Sequence, residues 1–156
     1  THTATRDVDQ RPDVVHARLL ELADRLRRET PPIPPGSQAA TLLGIDGPVG
    51  IEVTDRGPAT IELRTTRGRV RGEGAATLAP VDGGARTRLT MRLAILPQGF
   101  AANLMLGAAM ATMPNLERQV VDGLERGLDD LAVELAKPDA EWDASAWQPP
   151  GVPTGG

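Results

Sequence analysis

Between residues 49 and 96, apolar and polar side chains alternate with the two-residue period of strands that have one buried face. The alternation covers 49–55, 59–65, 70–79 and 88–95, and Gly- and Pro-containing turn signals separate these segments, the strongest being Asp82-Gly83-Gly84. Consecutive hairpins of this kind predict an antiparallel sheet. We further predict an edge strand over 2–9 and a short strand over 38–45.

A helical period precedes the predicted sheet. Val15, Leu19, Leu22 and Leu26 form an apolar stripe that follows Pro12, a residue suited to a first helical turn. The helix must end before the prolines of 31–35, which cannot donate backbone hydrogen bonds. We expect the charged side chains of this helix to face solvent: Arg18, Glu21, Asp24, Arg25 and Arg28.

A second helical region is predicted over 99–136. Its first half, 100–113, is apolar on every side, which indicates burial on more than one face. Pro114 should kink or divide the helix, and the second half is amphipathic. The apolar part has 14 residues, whereas a membrane span needs about 20, so we predict no membrane span.

The composition excludes several classes of protein. The net charge of −4 argues against a nucleic-acid-binding protein, and the absence of Cys excludes thiol catalysis and thiolate metal sites. Arg supplies all but one of the basic residues, which indicates a GC-rich bacterial genome. The first ten residues lack the apolar region of a secretory signal, so we expect a cytoplasmic protein.

No catalytic motif is evident. His2 and His16 are not at metal-ligand spacing, Ser37 and Ser145 lack a nucleophile elbow, and Asp129-Asp130 is expected to be solvated. We therefore expect no metal and no cofactor, and the catalytic residues are unknown.

Arginines recur at the polar positions of the predicted strands. Arg64, Arg71, Arg88 and Arg92 would share the outer face of the sheet with glutamates. Two interpretations are open. Cross-strand ion pairing in water is favoured, and binding of an anionic partner or headgroup is the alternative.

Three segments together resemble the START-like, or SRPBCC, superfamily, which includes polyketide cyclase/dehydrase-like and Bet v 1-like proteins. They are RDVDQRPDVVHARLLELAD, GEGAATLAPVDGGARTRLTMRLAIL and LERQVVDGLERGLDDLAVELA. The resemblance covers about residues 2–136. It implies an α+β helix-grip fold, in which a curved antiparallel sheet wraps around a long C-terminal helix and leaves a cavity for apolar molecules. The chain departs from the family in having few aromatic residues, and the Pro-rich 31–35 replaces the family's second short helix.

We predict a START-like domain over 1–137 and a Pro/Gly-rich extension over 138–156 that carries Trp142 and Trp147. The leading hypothesis is binding of a small hydrophobic lipid- or polyketide-like ligand, and it extends to transport of that ligand. The alternatives are a polyketide cyclase/dehydratase-like enzyme and a protein-interaction module that uses the Met-rich helix or the tail, and a homodimer is left open. The predicted ligand-binding residues are Ile51, Ile61, Leu63, Met91, Leu93, Phe100, Leu104, Met105 and Ala108.

Overall fold

The computed structural model describes residues 1–97 and 115–147 and contains a five-stranded antiparallel sheet with helices on one face. The strands are β1 (His2–Val8), β2 (Ile51–Asp55), β3 (Thr60–Thr65), β4 (Val70–Val81) and β5 (Arg86–Pro97). Their order in the sheet is β1-β5-β4-β3-β2. The predicted hairpins and the edge position of β1 are therefore confirmed.

Three α-helices occur in this part of the chain: α1 (Pro12–Glu29), α2 (Gln38–Leu43) and α3 (Leu116–Leu135). Helix α1 begins with Pro12 and has Asp13 in its first turn. It ends at Glu29, before the first proline of the Pro-rich segment. Helix α3 is the amphipathic half of the helix predicted over 99–136, whose apolar half lies outside the described residues.

The strand predicted over 38–45 is wrong, because this segment forms α2. The Ser37 side chain caps the helix by accepting a hydrogen bond from the Ala40 backbone N–H at 3.1 Å. Gly44 ends it in the left-handed conformation with φ = 72°. These start and stop signals outweigh the β-like apolar content, so a short helix does follow the prolines.

The closed core lies between the sheet and helices α1 and α3. Val8 and Leu89 from the sheet, Val15 from α1 and Leu135 from α3 have no exposed surface. Thr87 is also fully buried, and its hydroxyl donates to the Gln10 carbonyl at 2.7 Å. The remaining members of this core are Leu19, Leu22, Ile61, Ala76, Leu78, Leu128 and Leu131.

Arg18 corrects the expectation that the charged side chains of α1 all face solvent. It is only 3% exposed, and its guanidinium donates to the carbonyls of Leu135 (2.9 Å) and Lys137 (2.5 Å). It also donates to Asp139 at 2.7 Å and lies 4.9 Å from the centre of the Trp142 ring. Arg18 therefore satisfies the carbonyls that the end of α3 leaves unpaired.

Residues 138–147 pack against α1. The Trp142 indole N–H donates to Glu21 at 2.9 Å, and Arg25 donates to the carbonyls of Ala144 (2.7 Å) and Trp147 (2.5 Å). Trp142 and Trp147 also contact the hydrophobic core. The described part of the extension therefore packs on the body of the domain.

Candidate functional site

The strand register divides the sheet into two faces. Asp55, Ile61, Ala76, Met91 and Ala4 form one cross-strand row on the inner face, which is the face that packs on the helices. Ile61 is 5% exposed and Ala76 is 7% exposed, so this row closes against α1 and α3. Met91 is half-buried at its β5 position and packs against the same core.

The next inner-face row is more open. Val53, Leu63, Gly74, Leu93 and His2 are aligned across all five strands, and each is only partly buried.

The row beyond it aligns Ile51 with Thr65 and Gly72 with Ile95. Ile95 keeps 58% of its surface exposed. We call Ile51, Val53, Leu63, Leu93 and Ile95 the apolar floor.

Small residues on the central strand shape the apolar floor. Gly72 and Gly74 occupy successive inner-face positions of β4, with β3 and β5 on either side. A Cβ atom at Gly74 would lie 3.2 Å from the Leu93 side chain, whereas one at Gly72 would meet no heavy atom closer than 3.9 Å. Glycine in a strand interior leaves room above the backbone and lets the strand bend. The apolar floor is therefore least filled by side chains along β4.

The predicted ligand-binding residues are distributed over both parts of the inner face. Ile51, Leu63 and Leu93 belong to the apolar floor, Met91 lies at its boundary with the closed core, and Ile61 lies within that core. The sequence-based prediction omitted Val53, Gly72, Gly74 and Ile95, although the period-two spacing of β2, β4 and β5 includes them. The other predicted members lie outside the described residues: Phe100, Leu104, Met105 and Ala108.

Polar contacts flank the apolar floor at the β1 edge. His2 Nε2 lies 2.8 Å from Glu125 Oε1, and Arg6 bonds to the other oxygen of Glu125 and, at 2.5 Å, to Asp129. The Arg6 guanidinium, and then His2, hold the pKa of the Glu125 carboxyl below its ordinary value. Glu125 is thus an ionised hydrogen-bond acceptor that ties β1 to α3.

His16 makes a second histidine–carboxylate pair, with the β2 residue that lies opposite Ile61 in the closed row. Its Nε2 lies 3.0 Å from Asp55 Oδ1 at the end of β2. Neither pairing has a local sequence signal, since 39 residues separate His16 from Asp55 and 123 separate His2 from Glu125.

The outer face of the sheet carries a cavity of about 380 Å³. Its lining is mainly charged and polar, and includes Glu52, Glu62, Arg64, Glu73 and Arg92. This lining does not suit an apolar ligand.

Two of the four outer-face arginines, Arg64 and Arg88, make the cross-strand ion pairs of the favoured interpretation. Arg64 pairs with Glu52 at 3.1 Å and Arg88 pairs with Asp7 at 3.0 Å, each across one strand boundary. Because these side chains are well exposed, each pair contributes at most about 1 kcal/mol.

The described residues, 1–97 and 115–147, offer neither a metal site nor a membrane span. No group of three or more acidic or histidine side chains there is arranged to hold a metal ion. No helix in residues 1–97 and 115–147 has the length and hydropathy needed to cross a membrane.

No protein-family model matches the sequence, and a search of curated proteins gave no match. Solved structures do match. A conserved protein from Geobacillus kaustophilus shares 18% identity over 86% of this chain and 93% of its own, with a TM-score of 0.48. A START superfamily protein from Mycobacterium smegmatis shares 12% identity over 79% and 97%, with a TM-score of 0.42. The Zhui aromatase/cyclase from a Streptomyces species shares 13% identity over 91% and 98%, with a TM-score of 0.43.

Because these TM-scores are all below 0.5, we assign the fold from the order of elements. An edge strand and two helices precede four consecutive antiparallel strands, and a terminal helix then packs on the inner face of the sheet. This order, in a curved antiparallel sheet, was expected from the resemblance of the three sequence segments. The chain therefore has the predicted α+β helix-grip fold.

Proposed function

We propose that the protein binds a small hydrophobic molecule on the apolar floor of the sheet. One observation carries the proposal. Five apolar side chains line the inner face beyond the closed core, around two glycines on the central strand, and all five remain partly exposed. Burying apolar surface stabilises a complex by about 25 cal/mol per Å², so an apolar molecule could bind here without a specific polar contact.

Gly72 offers the test of this proposal. Replacing Gly72 by Val puts a branched side chain on the floor, in a strand conformation that valine favours. We expect Gly72→Val to weaken binding of the neutral apolar fluorophore N-phenyl-1-naphthylamine at least fivefold. The matched control is Ala79→Val, which adds bulk to an exposed position on the outer face of the same strand.

Both variants should keep the far-UV circular dichroism of the wild type. Equal affinity of wild type and Gly72→Val for the fluorophore would show that the site is elsewhere. If the wild type fails to bind the fluorophore at all, the hydrophobic-ligand proposal is wrong.

The location and organisation of the protein also belong to this proposal. We also propose a cytoplasmic location. The division at residues 137 and 138 remains our proposed boundary between domain and extension.

A further inference from the structure

His2 is the one titratable side chain in the inner-face row that crosses the middle of the apolar floor. The register pairs it with Leu93, and the same row continues through Gly74, Leu63 and Val53. Paired residues of an antiparallel ladder lie about 5 Å apart at their Cα atoms and point to the same face. The imidazole is therefore a neighbour of the floor.

The contact with Glu125 sets the hydrogen-bonding character of His2. Glu125 also accepts from Arg6, and an ionised carboxylate can only accept hydrogen bonds. His2 Nε2 must therefore carry the proton and donate it to Glu125 Oε1 at 2.8 Å. In the neutral ring this leaves Nδ1 with a lone pair.

Nδ1 of His2 is not used elsewhere in the described part of the structure. Among residues 1–97 and 115–147, the hydrogen bond of the His2 side chain is made by Nε2, and the side chain is 27% exposed. A fixed acceptor next to an apolar surface favours ligands that combine an apolar body with a hydroxyl group.

We infer that His2 Nδ1, oriented by Glu125, accepts a hydrogen bond from the hydroxyl group of an otherwise apolar ligand on the floor. This inference rests on the proposed function and adds the class of ligand: an apolar alcohol or phenol. Arg6 and Glu125 are positioning residues, since they act through the imidazole.

The test uses two probes of nearly equal size, 2-naphthol and 2-methylnaphthalene, which differ in a hydroxyl and a methyl group. We expect His2→Leu to reduce the preference for 2-naphthol over 2-methylnaphthalene by about threefold to tenfold, the range for one neutral hydrogen bond. The control is His16→Leu, which removes the other histidine–carboxylate pair and should leave the preference unchanged. Fluorescence titration gives all of these dissociation constants.

The inference and the proposed function fail in different ways. If both probes bind the wild type but His2→Leu leaves their ratio unchanged, the role of His2 is wrong and the floor proposal stands. If neither probe binds the wild type, the floor proposal is wrong and the inference with it.

A second measurement needs no substitution. The chain has two histidines, so the ¹⁵N NMR signals of their imidazoles can be assigned directly. We expect His2 in the Nε2–H tautomer, with its Nδ1 signal shifting on addition of 2-naphthol and not of 2-methylnaphthalene. An Nδ1–H tautomer for the neutral His2 ring would overturn the inference.

Discussion

Arg18 shows how one buried charge can hold three parts of the chain together. Its guanidinium connects α1 to the last carbonyls of α3 and to Asp139, and it lies against the Trp142 ring. Arginine suits this position because its planar group presents several donors in a fixed geometry. A lysine ammonium could not reach the same set of acceptors.

Replacing Arg18 by Met should lower the free energy of unfolding by about 1–3 kcal/mol, because buried carbonyls would lose their donors. Urea denaturation measures this change. The control is Arg28→Met on the same helix, where the Arg side chain is 62% exposed and pairs with Asp24. We expect that variant to lose under about 1 kcal/mol. Equal losses for the two variants would contradict the capping role of Arg18.

Gly44 is required for two reasons that can be separated. Its φ is 72°, and a Cβ there would lie 2.7 Å from the Arg69 side chain. Gly47 has a similar φ of 78° with open space around it. Both Gly→Ala variants should lose about 1–2 kcal/mol from the left-handed backbone. Gly44→Ala should lose more, because Arg69 must move, and thermal unfolding of the two variants compares them. A smaller loss at Gly44 would contradict this reading.

At the scale of elements, the contact between β1 and α3 depends on pH through Glu125. The Arg6 guanidinium and His2 hold the pKa of this carboxyl below its ordinary value of 4.5. Its stabilising contribution is therefore complete above pH 4.5 and is lost as the pH falls through the lowered pKa.

We expect Glu125→Gln to lower the melting temperature at pH 7, and the difference from wild type to shrink as the pH falls from 4.5 toward 3. The control is Glu141→Gln, an exposed position with no ion pair in the described residues. Its difference from wild type should stay near zero throughout. A Glu125→Gln difference that grows on acidification would contradict the ion-pair explanation.

The sheet could be predicted from the sequence, whereas α2 and the capping of α3 could not. Period-two alternation has one structural solution when turns of the Asp82-Gly83-Gly84 type join the strands. The segment 38–45 is too short for periodicity to separate strand from helix, and its capping residues decided the outcome. Arg18 lies on the charged side of α1 by sequence, and the approach of α3 buries it.

The candidate site was partly predictable for the same reason. The inner-face phase of each strand places Ile51, Leu63 and Leu93 on one surface, as the alternation indicates. Which rows of that surface close and which stay open depends on where the helices lie, so Ile61 fell in the core. The pairing of His2 with Glu125 joins opposite ends of the chain and has no local signal.

At the scale of the whole molecule, the inner face of the sheet is divided between the closed core and the proposed binding site. The rows that contain Ile61, Leu78 and Leu89 close on α1 and α3 and form the core. The rows that contain Leu63 and Ile95 carry the proposed site. The segment 138–147 makes its hydrogen bonds with α1, and so belongs to the closed side.

This division predicts how a chain that ends at Lys137 should behave. Its melting temperature should fall by several degrees, because Arg18 and Arg25 lose acceptors and both tryptophans leave the core. Its affinity for N-phenyl-1-naphthylamine should stay within about twofold of the wild type, since the floor lies on β2 to β5. Calorimetry and fluorescence titration at a temperature where both chains are folded give the two quantities. A shortened chain that keeps its melting temperature but no longer binds the fluorophore would contradict this division. The tail would then contribute to the binding site and not to the stability of the core.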